Sequence, residues 1–170
     1  MNYTIIEAKN FIEDFDKRDI TISFIIVSGK GASILLHSLL DSHPEILTFP
    51  KIISFYNDFK LFGSVLPKEK EFLNIFFSKG SIAKEWHNNN SESLDLQLPL
   101  IKGYLLEILP NIELNRKNFI LAFYFVYAKV FSIDLEKIKC LVIHNHYIKP
   151  NPNLSKHDLK KSLNSFFDLE

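Results

Sequence analysis

TISFIIVSGKGASILLHSLLD, residues Thr21 to Asp41, is the stretch on which the fold turns. Its first seven residues are an apolar, β-branched run that suits a buried parallel strand. Ser28 to Ala32 (SGKGA) is a turn carrying two glycines. From Ser33 to Asp41 the pattern becomes helical, with Leu35/Leu39 and Leu36/Leu40 paired at i,i+4 and Ser42-His43-Pro44 as the stop. Working outward, Ile46 to Phe49 reads as a short strand ended by Pro50. Glu69–Lys79 and Arg116–Ile133 read as helices, the second with a core face of Phe119, Phe123, Tyr124, Tyr127 and Phe131 at helical spacing. Lys139 to His146 (KCLVIHNH) is a core strand with a polar tip, and Ser155–Phe167 is a helix opened by the capping box Ser155-x-x-Asp158. Strands alternating with helices predict an α/β fold: a three-layer, doubly wound, mostly parallel sheet. Ligands in such sheets sit beyond the carboxyl ends of the strands, so the polar ends near Lys30 and His146 are expected at one edge.

Length and composition bound the function. The 170 residues fit a single domain, with 46% hydrophobic and 24% charged residues. Twenty basic residues balance twenty acidic ones, which argues against a strongly basic nucleic-acid binder. One cysteine, Cys140, excludes a disulfide framework and a CxxC metal or redox pair. The N-terminus does not read as a signal peptide, and the longest apolar run, Phe119 to Ala128, is far short of the ~20 residues that span a bilayer. A cytoplasmic protein without a membrane span is expected. Arg18 and Arg116 are the only arginines, so a phosphate site here would lean on lysine.

A strand, a glycine-bearing turn and a helix together build an anion site. The first helical N–H groups lack intrahelical partners, and the helix dipole adds positive potential there. Gly29 and Gly31 permit close backbone approach, Lys30 adds an ammonium, and Ser33 adds a hydroxyl. The spacing is not that of a Walker A loop, GxxxxGK[ST]. On spacing alone, a phosphate cradle and an ordinary strand-to-helix turn are equally open. His144-Asn145-His146 likewise reads as a base at a strand tip, a solvated edge, or an H-x-H metal pair lacking nearby carboxylate or cysteine ligands. His37 reads as a packed or half-exposed helix residue, not a ligand, and His43 as part of the helix stop. Trp86 and His87 border an Asn-rich turn and are open to lining an acceptor pocket, a lone tryptophan reading more often as core. Lys60, Lys68, Lys70, Lys79 and Lys84 read most simply as a solvated surface, with a basic rim for an anionic nucleotide as the alternative, which the zero net charge does not single out.

The segment Phe24 to Pro50, FIIVSGKGASILLHSLLDSHPEILTFP, resembles the opening of the sulfotransferase family, in which a strand enters a loop P-[KR]-S-G-[ST]-[ST], a Leu-rich helix and a D-S-H-P-E-I ending. The resemblance implies that Ser28, Gly29, Lys30, Gly31, Ala32, Ser33 and Ile34 hold the 5′-phosphate of 3′-phosphoadenosine 5′-phosphosulfate (PAPS). Lys30 falls on the family's loop cation, and Ser33 and Ile34 on its hydroxyl positions. Gly29, Gly31, Ala32 and Ile34 depart from the family residues. Cytosolic members carry a strand ending K-T-H, onto which His144 and His146 fall, implying His146 as the base and His144 in the lysine's place. The implied reaction is sulfuryl transfer from PAPS to an acceptor hydroxyl of a glycan, lipid or small molecule, with no metal. The match covers the front of a family domain. The family's 3′-phosphate arginine lies in a later strand, and no arginine follows Arg116, which implies an N-terminal portion of such a domain or a degenerate relative. A P-loop kinase or NTPase, and a non-catalytic nucleotide-binding domain, are the alternatives.

Overall fold

β3 (Cys140–His146) is the strand about which the rest is arranged: β1 (Thr21–Val27) lies parallel on one side of it and β2 (Ile46–Thr48) parallel on the other. The computed structural model describes residues 3–27, 33–41, 43–49, 53–63, 65–82, 92–146 and 155–169. Within them the fold is α/β, with seven α-helices beside an all-parallel three-stranded sheet. The helices are α1 (Tyr3–Glu13), α2 (Ser33–Asp41), α3 (Phe55–Lys60), α4 (Glu69–Lys79), α5 (Glu92–Ile108), α6 (Arg116–Val130) and α7 (Lys156–Phe166).

β3 is central because its run is buried on both faces: apolar Leu141, Val142 and Ile143, and after them His144, are all buried. β1 departs from its sequence reading as a buried strand. It occupies an edge of the described sheet, paired only with β3, and Thr21 to Ile25 all keep some exposure. Ile22 and Phe24 are partly buried against the core, and the strand's outer margin has no partner strand among the described residues.

β1, α2 and α4 span the residues their patterns predict. β2 ends at Thr48 and β3 begins at Cys140, one residue inside the expected bounds. α6 stops at Val130 instead of Ile133, because Ser132 takes a left-handed φ of 56° and Ile133 N–H folds back onto the Ala128 carbonyl at 2.8 Å. α7 carries the expected capping box between Ser155 and Asp158 and ends at Phe166, one residue early. α1, α3 and α5 have no counterpart in the sequence reading.

The core centres on α6, where ten consecutive residues from Phe119 to Ala128 are buried. The Phe119 ring lies 4.6 Å from Phe72 and 4.9 Å from Phe76, joining α4 to α6, while Phe125 meets Phe11 of α1 at 5.8 Å. The Tyr124 hydroxyl donates to the Val142 carbonyl at 2.6 Å, tying α6 to β3. Behind α7, Phe167 stacks on Phe24 of β1 at 5.4 Å. Arg116 clasps this end: it donates to the carbonyls of Phe166 (2.8 Å) and Gly63 (2.9 Å), and its guanidinium lies 4.2 Å over the Phe166 ring. Buried Asp58 closes α3 on α4 by accepting from the Ser81 N–H (2.7 Å) and hydroxyl (2.6 Å). No helix among the described residues is long and apolar enough to cross a membrane.

Candidate functional site

The sheet register sets the geometry of the predicted edge. Val27, the last residue of β1, is paired with His146, the last of β3, and α2 begins six residues on at Ser33. The backbone therefore brings position 146 beside the point where the chain leaves β1. Of the residues assigned to the phosphate loop, Ser28, Gly29, Lys30, Gly31 and Ala32 lie outside the described residues. Ser33 and Ile34 open α2, and His146 closes β3, but their side chains lie outside the description too.

His144 is placed clearly, and its surroundings differ from a solvated strand tip. It is buried, 3% exposed, under α2, where His37 is 7% exposed. The two rings lie 4.9 Å apart with Nδ1 to Nδ1 at 2.9 Å. At that separation one Nδ1 donates and the other accepts, so the two rings together hold one proton between these nitrogens. Phe49, Ile53, Phe55, Tyr124 and Val142 close around the pair, leaving no space for a water. An ion with further ligands has no room there either, and no group of three or more His, Cys, Asp or Glu suited to a metal occurs among the described residues.

The pair joins the two elements that flank the predicted edge: β3, which ends at His146, and α2, which follows residues 28–32. His37 is thus more than a packing residue. The signal available in the sequence was indirect: a buried LVIH strand requires a polar partner for its imidazole, and α2 supplies one imidazole among leucines. The far end of α2 is fixed by polar contacts as well. Asp41 accepts from the Thr48 hydroxyl at 2.8 Å, and His43 Nδ1 accepts from the Glu45 N–H at 3.2 Å, as expected of a helix stop. Burial pushes the Tyr127 hydroxyl well above the ordinary tyrosine range, and the Asp41 charge pushes it further.

Other candidates sort simply. Both arginines are spent on structure, Arg116 as above and Arg18 on Glu136 (3.1 Å) and the Phe11 ring (5.2 Å). Lys60, Lys68, Lys70 and Lys79 are exposed, Lys60 lying 4.2 Å over the Tyr56 ring. Lys84, Trp86 and His87 lie outside the described residues. A cavity of about 370 Å³ between α1 and α6 sits by the amino ends of the strands, and its charges are paired, Arg18 with Glu136, Lys129 with Glu7, and Asp134 with Lys137 outside the lining. Comparison with protein-family models, with curated proteins and with solved structures gave no match.

Proposed function

We propose that this chain is a PAPS-dependent sulfotransferase domain, or the N-terminal portion of one, with its donor site at the carboxyl edge of β1 and β3. One observation carries the reading beyond the sequence resemblance: the parallel register that sets Val27 opposite His146. It puts the end of the candidate base strand next to the start of the candidate phosphate loop, where α/β sheets bind ligands. In the proposed reaction the acceptor oxygen attacks sulfur, and the bond from sulfur to the bridging phosphate oxygen breaks. 3′-Phosphoadenosine 5′-phosphate leaves with that electron pair, and His146 takes the hydroxyl proton. Lys30 and the N–H groups opening α2 offset the charge gathering on the departing phosphate. His144, bonded to His37, acts as a positioning residue for the end of β3 and not as a second cation in contact with the donor.

A second reading, nucleotide binding without transfer, is favoured by that burial of His144 and by the structural use of both arginines. Calorimetry separates these readings. A sulfotransferase site binds 3′-phosphoadenosine 5′-phosphate in preference to ATP, without magnesium, and Lys30→Ala then lowers turnover by ~10²-fold or more. Preferred, magnesium-dependent binding of ATP overturns the proposal in favour of a kinase. Selective binding with turnover absent from the wild type moves it to the non-catalytic reading.

A further inference from the structure

His37 and His144 hold α2 on β3 through a contact whose proton content is set by geometry. Of the described α2 side chains, Leu35 to Asp41, His37 is the one that is buried. With Nδ1 to Nδ1 at 2.9 Å, the space between the rings takes one proton, since a second would set N–H against N–H. A proton added at an outer Nε2 instead makes an imidazolium in a site too small for water, walled by Phe49, Ile53, Phe55, Tyr124 and Val142. No charged side chain among the described residues lines that site. On α6, Tyr124 gives its hydroxyl proton to the Val142 carbonyl and Tyr127 packs on Phe49, and burial keeps both protonated. Asp41, one turn along α2, is exposed and accepts from Thr48. On α3, Asp58 is taken by Ser81, and Lys60 lies over the Tyr56 ring. β1 and β2 carry no titratable side chain, and Cys140 stands at the far end of β3. In an unfolded chain each imidazole ionises near pH 6.5. The opened state therefore binds more protons in mild acid than the closed one, and closure weakens as the pH falls.

We infer that the His37–His144 pair is an acid-sensitive latch, holding α2 on β3 while both imidazoles are neutral and letting α2 open from the sheet in mild acid. α2 opens before the core does, because α6 buries ten consecutive residues whereas the described part of α2 buries one. The latch joins the two elements that flank the carboxyl edge, so acid loosens that edge first, whatever the edge binds.

The test uses the full chain and a double variant, His37→Leu with His144→Leu, which fills the apolar site without a titrating group. Ring nitrogen NMR of the wild type at pH 7.5 should show one of the two rings protonated at Nδ1 and the other at Nε2. Both rings should hold their neutral shifts down to pH 5.5 in the folded form. From pH 7.5 to 5.5 the urea unfolding constant should rise about tenfold to about a hundredfold more in the wild type than in the double variant, as one or both rings take up a proton on opening. Amide protection at His37 to Asp41 should fall with it and stay below that at Phe123 to Ala128. Titration of the folded pair near pH 6.5, equal pH dependence in the two proteins, or α2 amides as protected as those of α6 at pH 5.5 overturns the inference. One ring protonated in the folded state above pH 6.5, with stability gained in acid, overturns it in favour of a shared cation. Should the double variant not fold, the ring titration and amide protection of the wild type decide.

Discussion

α6 is rich in aromatic residues and α2 in leucine, and both lie beside the sheet, yet they are held in opposite ways. α6 is buried all round its middle, and its contacts are rings on rings. α2 turns three leucines outward, Leu35, Leu36 and Leu39 at 63, 47 and 65% exposure, and turns a histidine inward. Its inner attachments are hydrogen bonds, His37 to His144 and Thr48 to Asp41. Apolar content therefore does not decide how a helix is anchored. α6 draws on dispersion and area burial, which tolerate no void. α2 draws on directed polar contacts, which fix position at modest net energy.

Cutting each helix at its own kind of anchor tests the contrast most severely. Phe119→Ala removes a ring in contact with Phe55, Phe59, Phe72, Phe76 and Phe123 and should cost ~3–5 kcal/mol in urea unfolding. Leu39→Ala, at 65% exposure, should stay within ~0.5 kcal/mol. Comparable losses at the two sites would mean that the outer face of α2 is covered, and the contrast would collapse.

The polar anchor should give an intermediate effect. His37→Ala leaves the His144 Nδ1 without this partner in a dry site and should cost ~1–3 kcal/mol. His144→Ala should cost a similar amount. The double variant should lose clearly less than the two singles added together, since each removes the same bond. Simple additivity in that cycle would show that the rings pack without exchanging a proton.

Much of this architecture was legible because local pattern and secondary structure agree in β1, α2, α4 and α6. Thr21–Val27 and Ser33–Asp41 were readable to the residue, since β-branched runs and i,i+4 leucines carry strong periodicity. α1 was not: Ala8, Phe11 and Ile12 form its inner face, but three residues make a faint pattern until α6 is in place to receive them. The edge position of β1 was illegible for a different reason. An apolar run reports covered faces and is silent on how many neighbours line the strand's margins. At the candidate site, His144 and His146 share a motif in sequence but His144 belongs with His37, 107 residues away, a pairing that no local spacing encodes.

The smallest effect concerns the bond that joins the two anchoring styles, Tyr124 of α6 to the Val142 carbonyl of β3. Tyr124→Phe keeps the ring and deletes the hydroxyl, so at neutral pH it should cost only ~1 kcal/mol, the net worth of one hydrogen bond. Alkali should amplify it. Burial holds Tyr124 well above the ordinary tyrosine value, and burial together with the nearby Asp41 does the same for Tyr127. Both groups keep their protons in the folded state at pH values where the unfolded chain loses them, near pH 10 and above. The folded state then binds more protons than the unfolded one, so this contribution is fully present below pH 10 and is lost as the pH rises past it. Each buried tyrosine adds a slope of about 1.4 kcal/mol per pH unit in that range. Stability measured from pH 9 to 11.5 should therefore fall more gently in Tyr124→Phe than in the wild type, by about that amount. An unchanged slope would mean that the Tyr124 hydroxyl meets solvent, and that α6 touches β3 only through packing.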